Sequence, residues 1–399
     1  MSDDKRTTLI HHPYRPPPGF AAMAPAVHKA STVIFENVAA LRARSWKSKA
    51  GYTYGLHGTP TSFTLEERIA TLEGGLQTLL VPSGLAALTL VDCALLQSGD
   101  EVLIPTNAYG PNRDFAAHEL AGWGIAHRLY DPMDAAALEA MIGPRTRLLW
   151  LEAAGSVTME FPDLVALVRS ARSHGVVTAL DNTWGAGIAF DPFDLPKADA
   201  ERLAVDISTQ ALTKYPSGGG DVLMGSVTTR DESLHQRLKA THMRSGWGVG
   251  ANDIELVLRS LPTLDVRYRA QDRAARELAA WWQGRPGVLR VLHPALAGSP
   301  GHPHWKALCN DSAAGLFSIV FGADHGLADV DRFVDSLRLF KIGYSWAGPV
   351  SLVVPYDLRA LRGPSAAAEK LVRFSVGLEA VSDLIGDCEQ ALAALTQGR

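Results

Sequence analysis

Apolar residues along the central part of the chain occur in two alternating patterns. Short apolar runs, typical of buried strands, occupy residues 78–81, 101–105, 148–152, 176–180, 205–208 and 222–227. Between several of these runs the apolar residues recur at helical spacing, as they do in residues 164–173. Apolar strands that alternate with helices are typical of a mainly parallel sheet with helices on both faces. We therefore predict an α/β fold built on such a sheet.

The two ends of the chain follow different patterns. Several prolines near the start favour extended backbone, so residues 1–60 are predicted to form an N-terminal arm that packs across a partner subunit, the alternative being that it wraps its own domain. Residues 61–255 form the predicted sheet domain, whose first helix has capping-box spacing between Thr64 and Glu67. Strands and helices in mixed order then predict a smaller α+β domain over residues 256–399.

Composition excludes several classes of protein. The 399 residues include 38 Lys and Arg against 42 Asp and Glu, and no basic stripe occurs, so a dedicated nucleic-acid binder is excluded. No run of about 18 apolar residues exists, and the first residues lack the apolar core of a signal peptide. Cys93, Cys309 and Cys388 lie far apart without the spacing of metal ligands. These features predict a cytoplasmic enzyme without a metal site or a membrane span.

Three polar elements follow the predicted strands, where open α/β sheets bind ligands. The turn Ser83-Gly84-Leu85 opens a helix, and its free backbone N–H groups suit an anion, although taken alone it is more simply explained as an ordinary strand-to-helix turn. Asp181 ends an apolar strand and is either a ligand group or a turn aspartate. Lys214 precedes a Pro and a run of glycines, and is either a surface lysine or a buried amine able to form an imine.

Taken together, these three elements indicate one cofactor. Pyridoxal phosphate needs an anchor for its phosphate, a carboxylate beside its pyridine nitrogen and a lysine that binds its aldehyde carbon. The turn at Ser83, Asp181 and Lys214 supply these groups in order along one predicted sheet. Tyr109 follows another strand, where it could stack on the cofactor ring or be an ordinary loop tyrosine.

Several short motifs between residues 52 and 384 match one known family. They are Tyr54 with His57-Gly-Thr-Pro-Thr61, Leu72-Glu-Gly-Gly75, Pro82-Ser-Gly84, Ala108-Tyr-Gly-Pro111, Asp181-Asn-Thr-Trp184, Leu212-Thr-Lys-Tyr215, His293-Pro-Ala-Leu-Ala-Gly298, Gly315-Leu-Phe-Ser318, Tyr344-Ser-Trp346 and Val372-Arg-Phe-Ser-Val-Gly-Leu-Glu379. On these motifs the chain resembles the cysteine/methionine-metabolism family of pyridoxal-phosphate enzymes. Tyr344-Ser-Trp346 and Gly155-Ser-Val-Thr-Met-Glu160 are similar to its cystathionine β-lyase branch rather than to its γ-acting branches.

The resemblance implies a fold, an assembly and a set of cofactor contacts. It implies fold type I, the fold of aspartate aminotransferase, with a seven-stranded sheet, and a homotetramer built from dimers that share active sites. Lys214 would bind pyridoxal phosphate and then move protons, while Asp181 would pair with the pyridinium nitrogen. Tyr109 would stack on the ring and is the second candidate for proton transfer. The phosphate would be held by Gly84, Leu85 and Thr213, beside the Ser83 hydroxyl.

The resemblance also implies how a sulfur amino acid is bound. Arg373 would bind the substrate α-carboxylate through its two parallel N–H groups. Ser345 and Trp346 would line the substrate side, and Tyr54 would reach cofactor and substrate from the neighbouring subunit. Cleavage of L-cystathionine by β-elimination into homocysteine, pyruvate and ammonia is the activity that this pattern implies.

Three departures from the family pattern leave alternatives open. Leu56 stands where the family commonly has an arginine that reaches the partner's cofactor phosphate. The glycines at 218–220 replace a histidine of many relatives, and the stretch 347–350 replaces a glutamate. A lyase for cystine or other cysteine conjugates, a γ-acting relative (cystathionine γ-lyase or γ-synthase) and a non-catalytic regulatory oligomer are therefore the alternatives to cystathionine cleavage.

Overall fold

Two β-sheets organise the protein. The computed structural model describes residues 4–14, 16–20, 22–47, 49–195, 203–362 and 369–396. The first residue of the predicted arm, residue 1, and the last residue of the predicted C-terminal domain, residue 399, lie outside the described residues. The large sheet contains β1 (Gln77–Val81), β2 (Glu101–Pro105), β3 (Ala126–Tyr130), β4 (Thr146–Glu152), β5 (Val177–Asp181), β6 (Ile207–Ala211) and β7 (Gly225–Thr229). The small sheet contains β8 (Val288–Leu292), β9 (Leu316–Phe321), β10 (Lys341–Ile342), β11 (Leu352–Asp357) and β12 (Lys370–Ser375).

The large sheet is mainly parallel, as the sequence pattern predicts. Its strand order is β1-β7-β6-β5-β4-β2-β3, and only β7 runs antiparallel to its neighbours β1 and β6. In the parallel part Glu152 pairs with Asp181, which pairs in turn with Thr209. The carboxyl ends of three neighbouring strands therefore meet at one edge of the sheet, where the motifs with candidate chemistry follow.

Helices cover both faces of the large sheet. In chain order, the helices of the two sheets together are α1 (Lys5–Ile10), α2 (Val38–Arg42), α3 (Pro60–Glu73), α4 (Gly84–Leu95), α5 (Gly110–Phe115), α6 (Ala135–Met141), α7 (Leu164–Ser173), α8 (Glu232–Ser245), α9 (Ala251–Ser260), α10 (Leu264–Trp282), α11 (His302–Leu308), α12 (Leu327–Asp335), α13 (Leu358–Arg362) and α14 (Val381–Thr396). Of these, α10 and α12 contact the small sheet, and α14 packs against both of them. Along β4, Leu149 and Leu151 belong to one buried cluster, while Leu148 and Trp150 belong to another. Both faces of this strand are therefore buried, which explains its unbroken apolar run.

The first long helix begins earlier than its sequence pattern predicts. Helix α3 starts at Pro60, and Thr59 and Ser62 form its capping box, because each side chain accepts a hydrogen bond from the other's backbone N–H, at 3.2 and 2.8 Å. The predicted box at Thr64 and Glu67 is wrong, since the Thr64 hydroxyl donates to the Pro60 carbonyl oxygen inside the helix. A proline fits the first helical position because its missing N–H has no partner there anyway.

The small sheet places a buried arginine on a central strand. Its order is β10-β11-β12-β9-β8, and β12 runs antiparallel to both β11 and β9. Arg373 lies on β12 between Val354 and Ser318. A short 3₁₀ turn that contains Pro262 separates α9 from α10. No helix among the described residues is long and apolar enough to cross a membrane.

Candidate active site

A cavity of about 590 Å³ lies beside the carboxyl ends of the large sheet's strands and is closed by the small sheet and its loops. Its lining includes most residues that the sequence singles out. They are Ser83, Gly84, Leu85, Tyr109, Asp181, Thr213, Lys214, Ser345, Trp346 and Arg373. These residues come from parts of the chain almost 300 positions apart, since residues 83 and 373 share one cavity. The fold therefore assembles them into a single candidate site.

The N-terminus of α4 forms one end of the cavity. Ser83 caps this helix, because its Oγ accepts a hydrogen bond of 3.0 Å from the Ala86 N–H. A Cβ atom on Gly84 would lie 2.5 Å from the Ala211 Cβ, so only glycine fits between α4 and β6. The hydroxyl of Thr213 lies nearby and contacts the backbone of Met224. Unpaired N–H groups and the positive end of the α4 dipole make this corner suitable for a phosphate.

Asp181 ends β5 and faces the same cavity. Its Oδ1 accepts hydrogen bonds from the Thr183 N–H at 3.0 Å and from the Thr183 hydroxyl at 2.5 Å. Burial raises the pKa of Asp181, while the bonds from Thr183 and the nearby Lys214 oppose that rise. Such a carboxylate is suited to a cationic partner that would replace its lost hydration.

Lys214 is held by a residue from the small domain. Its Nζ donates a hydrogen bond of 2.7 Å to the Ser345 Oγ and lies 5.4 Å from the centre of the Trp346 ring. Burial lowers the pKa of Lys214 to about 8, and the positive charge of Arg373 adds to this effect, while Asp181 opposes it. An amine with such a pKa can both lose and regain a proton near neutral pH.

Arg373 is the buried cation opposite Lys214. Its side chain has one hydrogen bond of 3.1 Å from Nη2 to the Ser345 carbonyl oxygen, and its buried Nε has no partner among the described residues. Ser345 therefore contacts both Lys214 and Arg373, in a backbone conformation with φ of +90° that non-glycine residues rarely adopt. An arginine with unused donors facing a cavity is suited to bind a carboxylate.

Glu152 is a site residue that the sequence analysis missed. It ends β4 next to Asp181, lines the cavity, and accepts a hydrogen bond of 2.7 Å from the Tyr109 N–H. Burial, followed by the charge of Asp181, raises the pKa of Glu152 well above its usual value and so favours its protonated form. Burial also raises the pKa of Tyr109, with further contributions from Asp181 and Glu152. The Tyr109 phenol is thus a proton donor rather than a base.

We predict that Glu152→Gln retains kcat/KM within about threefold, because the amide oxygen still accepts the Tyr109 N–H, whereas Glu152→Ala loses about tenfold.

Because folding raises the Glu152 pKa, the wild-type free energy of unfolding falls as pH rises above about 4.3, the unfolded-state pKa. Glutamine does not titrate, so the melting temperature of Glu152→Gln relative to wild type should rise between about pH 5 and pH 8. A difference that is constant with pH would contradict a raised pKa of Glu152 in the folded protein.

Tyr54 is the predicted site residue that the structure places elsewhere. It is not among the residues that line the cavity of its own chain, and its side chain is half exposed beside His57, at 5.8 Å between ring centres. Its predicted role in a neighbouring subunit's site stays a prediction. Conversely, Tyr344, Tyr356 and Leu361 line the cavity although the sequence assigns them no role there.

Residues 6–393 match the family described as Cys/Met metabolism PLP-dependent enzyme. The chain belongs to this family. It is 39% identical to a putative cystathionine β-lyase of Rhizobium johnstonii over 93% of this chain and 91% of that one. It is 37% identical to cystathionine β-lyase of Bordetella avium over 96% of each. The structure of cystathionine γ-synthase from Xanthomonas oryzae, in complex with aminoacrylate and cysteine, superposes with a TM-score of 0.88 at 26% identity, covering 99% of each chain.

The cavity fits the cofactor of this family. The unpaired N-terminus of α4 suits the phosphate, and the close approach of α4 to β6 at Gly84 leaves that corner free of a side chain. Asp181 offers a carboxylate for the pyridine nitrogen, and Lys214 offers a buried amine whose pKa burial has lowered. The protein is therefore a PLP-dependent enzyme of amino-acid metabolism with fold type I, as the sequence predicts.

Proposed function

We propose that the protein is a carbon–sulfur β-lyase that cleaves L-cystathionine to homocysteine, pyruvate and ammonia. The observation that carries the proposal is the arrangement around Ser345, which holds the Lys214 amine by its hydroxyl and the Arg373 guanidinium by its carbonyl. When the substrate carboxylate binds Arg373, this arrangement favours a position of the Lys214 amine beside the substrate Cα atom, where it can act as the base. The names of the relatives with 39% and 37% identity support the β-lyase branch.

Four residues of the site have proposed roles in the reaction. Bound pyridoxal phosphate supplies an electron sink for the carbanion at Cα. Lys214 accepts the Cα proton and returns a proton to the leaving sulfur, for which its pKa of about 8 is suitable. Asp181 keeps the pyridine nitrogen protonated by its charge. Arg373 binds and orients the α-carboxylate, and Tyr109 packs on the ring and can donate a proton.

The proposed oligomeric assembly rests on the resemblance to the cysteine/methionine-metabolism family. We propose a homotetramer of dimers in which the arm, residues 1–60, crosses to the neighbouring subunit and brings Tyr54 to its active site. The half-exposed Tyr54 ring, which lies outside its own cavity, supports this role. We also propose a cytoplasmic location, because Cys93, Cys309 and Cys388 are all free thiols.

Product analysis tests the proposed reaction. Incubation of the holoenzyme with L-cystathionine should yield pyruvate, ammonia and homocysteine in equal amounts, because the Cβ–S bond breaks. The γ-acting alternative would give 2-oxobutyrate and cysteine instead, and its appearance as the main product would refute the proposal. A protein that binds the cofactor but turns over no sulfur amino acid would favour the non-catalytic alternative.

A further inference from the structure

A second cavity lies between the N-terminal helix α1 and helix α3. Its volume of about 260 Å³ is less than half that of the active-site cavity, and no described residue lines both cavities. Helix α1 contributes Lys5 and Leu9 to its lining, and α3 contributes Arg68 and Leu72. This cavity is therefore separate from the one that suits the cofactor.

Arg68 is a buried arginine that lines this second cavity without a partner. It is 8% exposed, its Nε is buried without an acceptor, and it forms no hydrogen bond or ion pair with any described residue. Burial lowers the pKa of Arg68, although the charge of Glu67 opposes this effect. A buried cation is costly unless an anion replaces its lost hydration. Arg68 is thus suited to bind an anionic group inside the cavity.

The other basic residues of the lining are already engaged or exposed. Lys5 pairs with the carboxylate of Asp191. Arg230 is exposed and donates from Nε to the Gly74 carbonyl oxygen at 2.6 Å. Burial, followed by the charge of Arg68, lowers the pKa of His12 and favours its neutral form. Arg68 is therefore the buried cation of the described lining that lacks a partner.

Asp194 gives the same cavity an unpaired carboxylate. It is partly buried, and among the described residues its side chain accepts no hydrogen bond and forms no ion pair, with Arg68 or with any other cation. The buried side chains of Leu9, Leu72 and Leu261 supply an apolar surface between these charges. A free cation, a free carboxylate and an apolar surface in one small cavity complement a zwitterion with an apolar side chain.

We propose that this cavity is a second binding site of the protein and that its ligand is a free α-amino acid with an apolar side chain. Arg68 binds the α-carboxylate, Asp194 binds the α-ammonium, and the three leucines pack against the side chain. No covalent bond forms or breaks in this site. The site is independent of the proposed β-lyase reaction, because it uses none of the residues that have a role there.

Three probes with one carbon skeleton test the proposal on the wild-type holoenzyme. L-Leucine carries both charges, 4-methylpentanoate lacks the ammonium, and 3-methylbutylamine lacks the carboxylate. Equilibrium dialysis measures total binding, and the change in cofactor absorbance measures the part that occurs in the active-site cavity. We expect the remaining binding to be at least about tenfold tighter for L-leucine than for either analogue, because each analogue loses a charge-assisted contact. Equal binding of L-leucine and 4-methylpentanoate, or no binding of millimolar L-leucine outside the active site, would overturn the proposal.

Matched variants assign the two charges. In Arg68→Gln, L-leucine should lose its advantage over 3-methylbutylamine, and in Asp194→Asn it should lose its advantage over 4-methylpentanoate. Arg169→Gln removes an exposed arginine of α7 and should leave all three affinities unchanged. Unaltered cofactor absorbance checks that each variant is assembled. The proposal is wrong if Arg68→Gln binds L-leucine as tightly as wild type does. It is equally wrong if wild type binds no L-leucine there while Arg68→Gln dissociates the oligomer, since Arg68 would then pair with a carboxylate of another subunit.

Discussion

Replacing Lys214 by alanine should lower kcat for L-cystathionine by about 10⁴-fold, the upper range for the loss of a positioned acid–base group. The reason is that one amine has to remove the Cα proton and later protonate the leaving sulfur. Its pKa of about 8, lowered by burial and by Arg373, suits both steps near neutral pH. Steady-state kinetics with pyruvate detection would measure the loss.

Two controls separate the proton-transfer role of Lys214 from a structural one. Ser345→Ala leaves the Lys214 amine in place and removes only its 2.7 Å hydrogen bond to Ser345. We therefore expect kcat to fall by about tenfold, compared with about 10⁴-fold for Lys214→Ala. Added small primary amines should restore part of the activity of Lys214→Ala, and the restored rate should rise with the basicity of the amine. Turnover of Lys214→Ala within about tenfold of wild type would contradict the assignment of Lys214 as the base.

The sequence could predict the parts of the site that follow apolar strands. Ser83 follows β1 and Asp181 ends β5, so a polar residue directly after a buried run indicated the edge where ligands bind. Lys214 follows β6 in the same way. Glu152 carries the same signal, since it ends β4 as Asp181 ends β5, but a single carboxyl at the end of an apolar run is equally typical of an ordinary strand end.

Other parts of the site depend on contacts that no local pattern encodes. The bond from Lys214 to Ser345 joins residues 131 positions apart, and the bond from Arg113 to the Leu361 carbonyl spans 248 positions. The edge strand β3 was also missed, because its partly exposed sequence, with Arg128 and Leu129 facing solvent, lacks the apolar run of a buried strand. The position of the Lys214 amine therefore emerges only when the two sheets and their loops are seen together.

Replacing Arg373 by alanine should lower kcat/KM for S-substituted cysteines by about 10² to 10³-fold, mainly through KM. Arg373 is buried, and among the described residues it donates one hydrogen bond while its Nε has no partner, so its donors are available to a carboxylate. Arg373→Lys keeps the charge but loses the paired donors, and it should recover less than half of the lost binding free energy.

Competitive inhibitors can show whether Arg373 acts by binding the carboxylate or by holding Ser345. L-Alanine and ethylamine differ by one carboxylate, so wild type should bind L-alanine at least about 100-fold more tightly. In Arg373→Ala the two inhibitors should bind equally, because the carboxylate has lost its cation. If L-alanine keeps its advantage while kcat falls and KM stays constant, Arg373 acts through its hydrogen bond to Ser345, and hence through the position of the Lys214 amine. An effect mainly on KM therefore indicates that Arg373 binds the substrate carboxylate, and an effect mainly on kcat indicates that it positions the Lys214 amine.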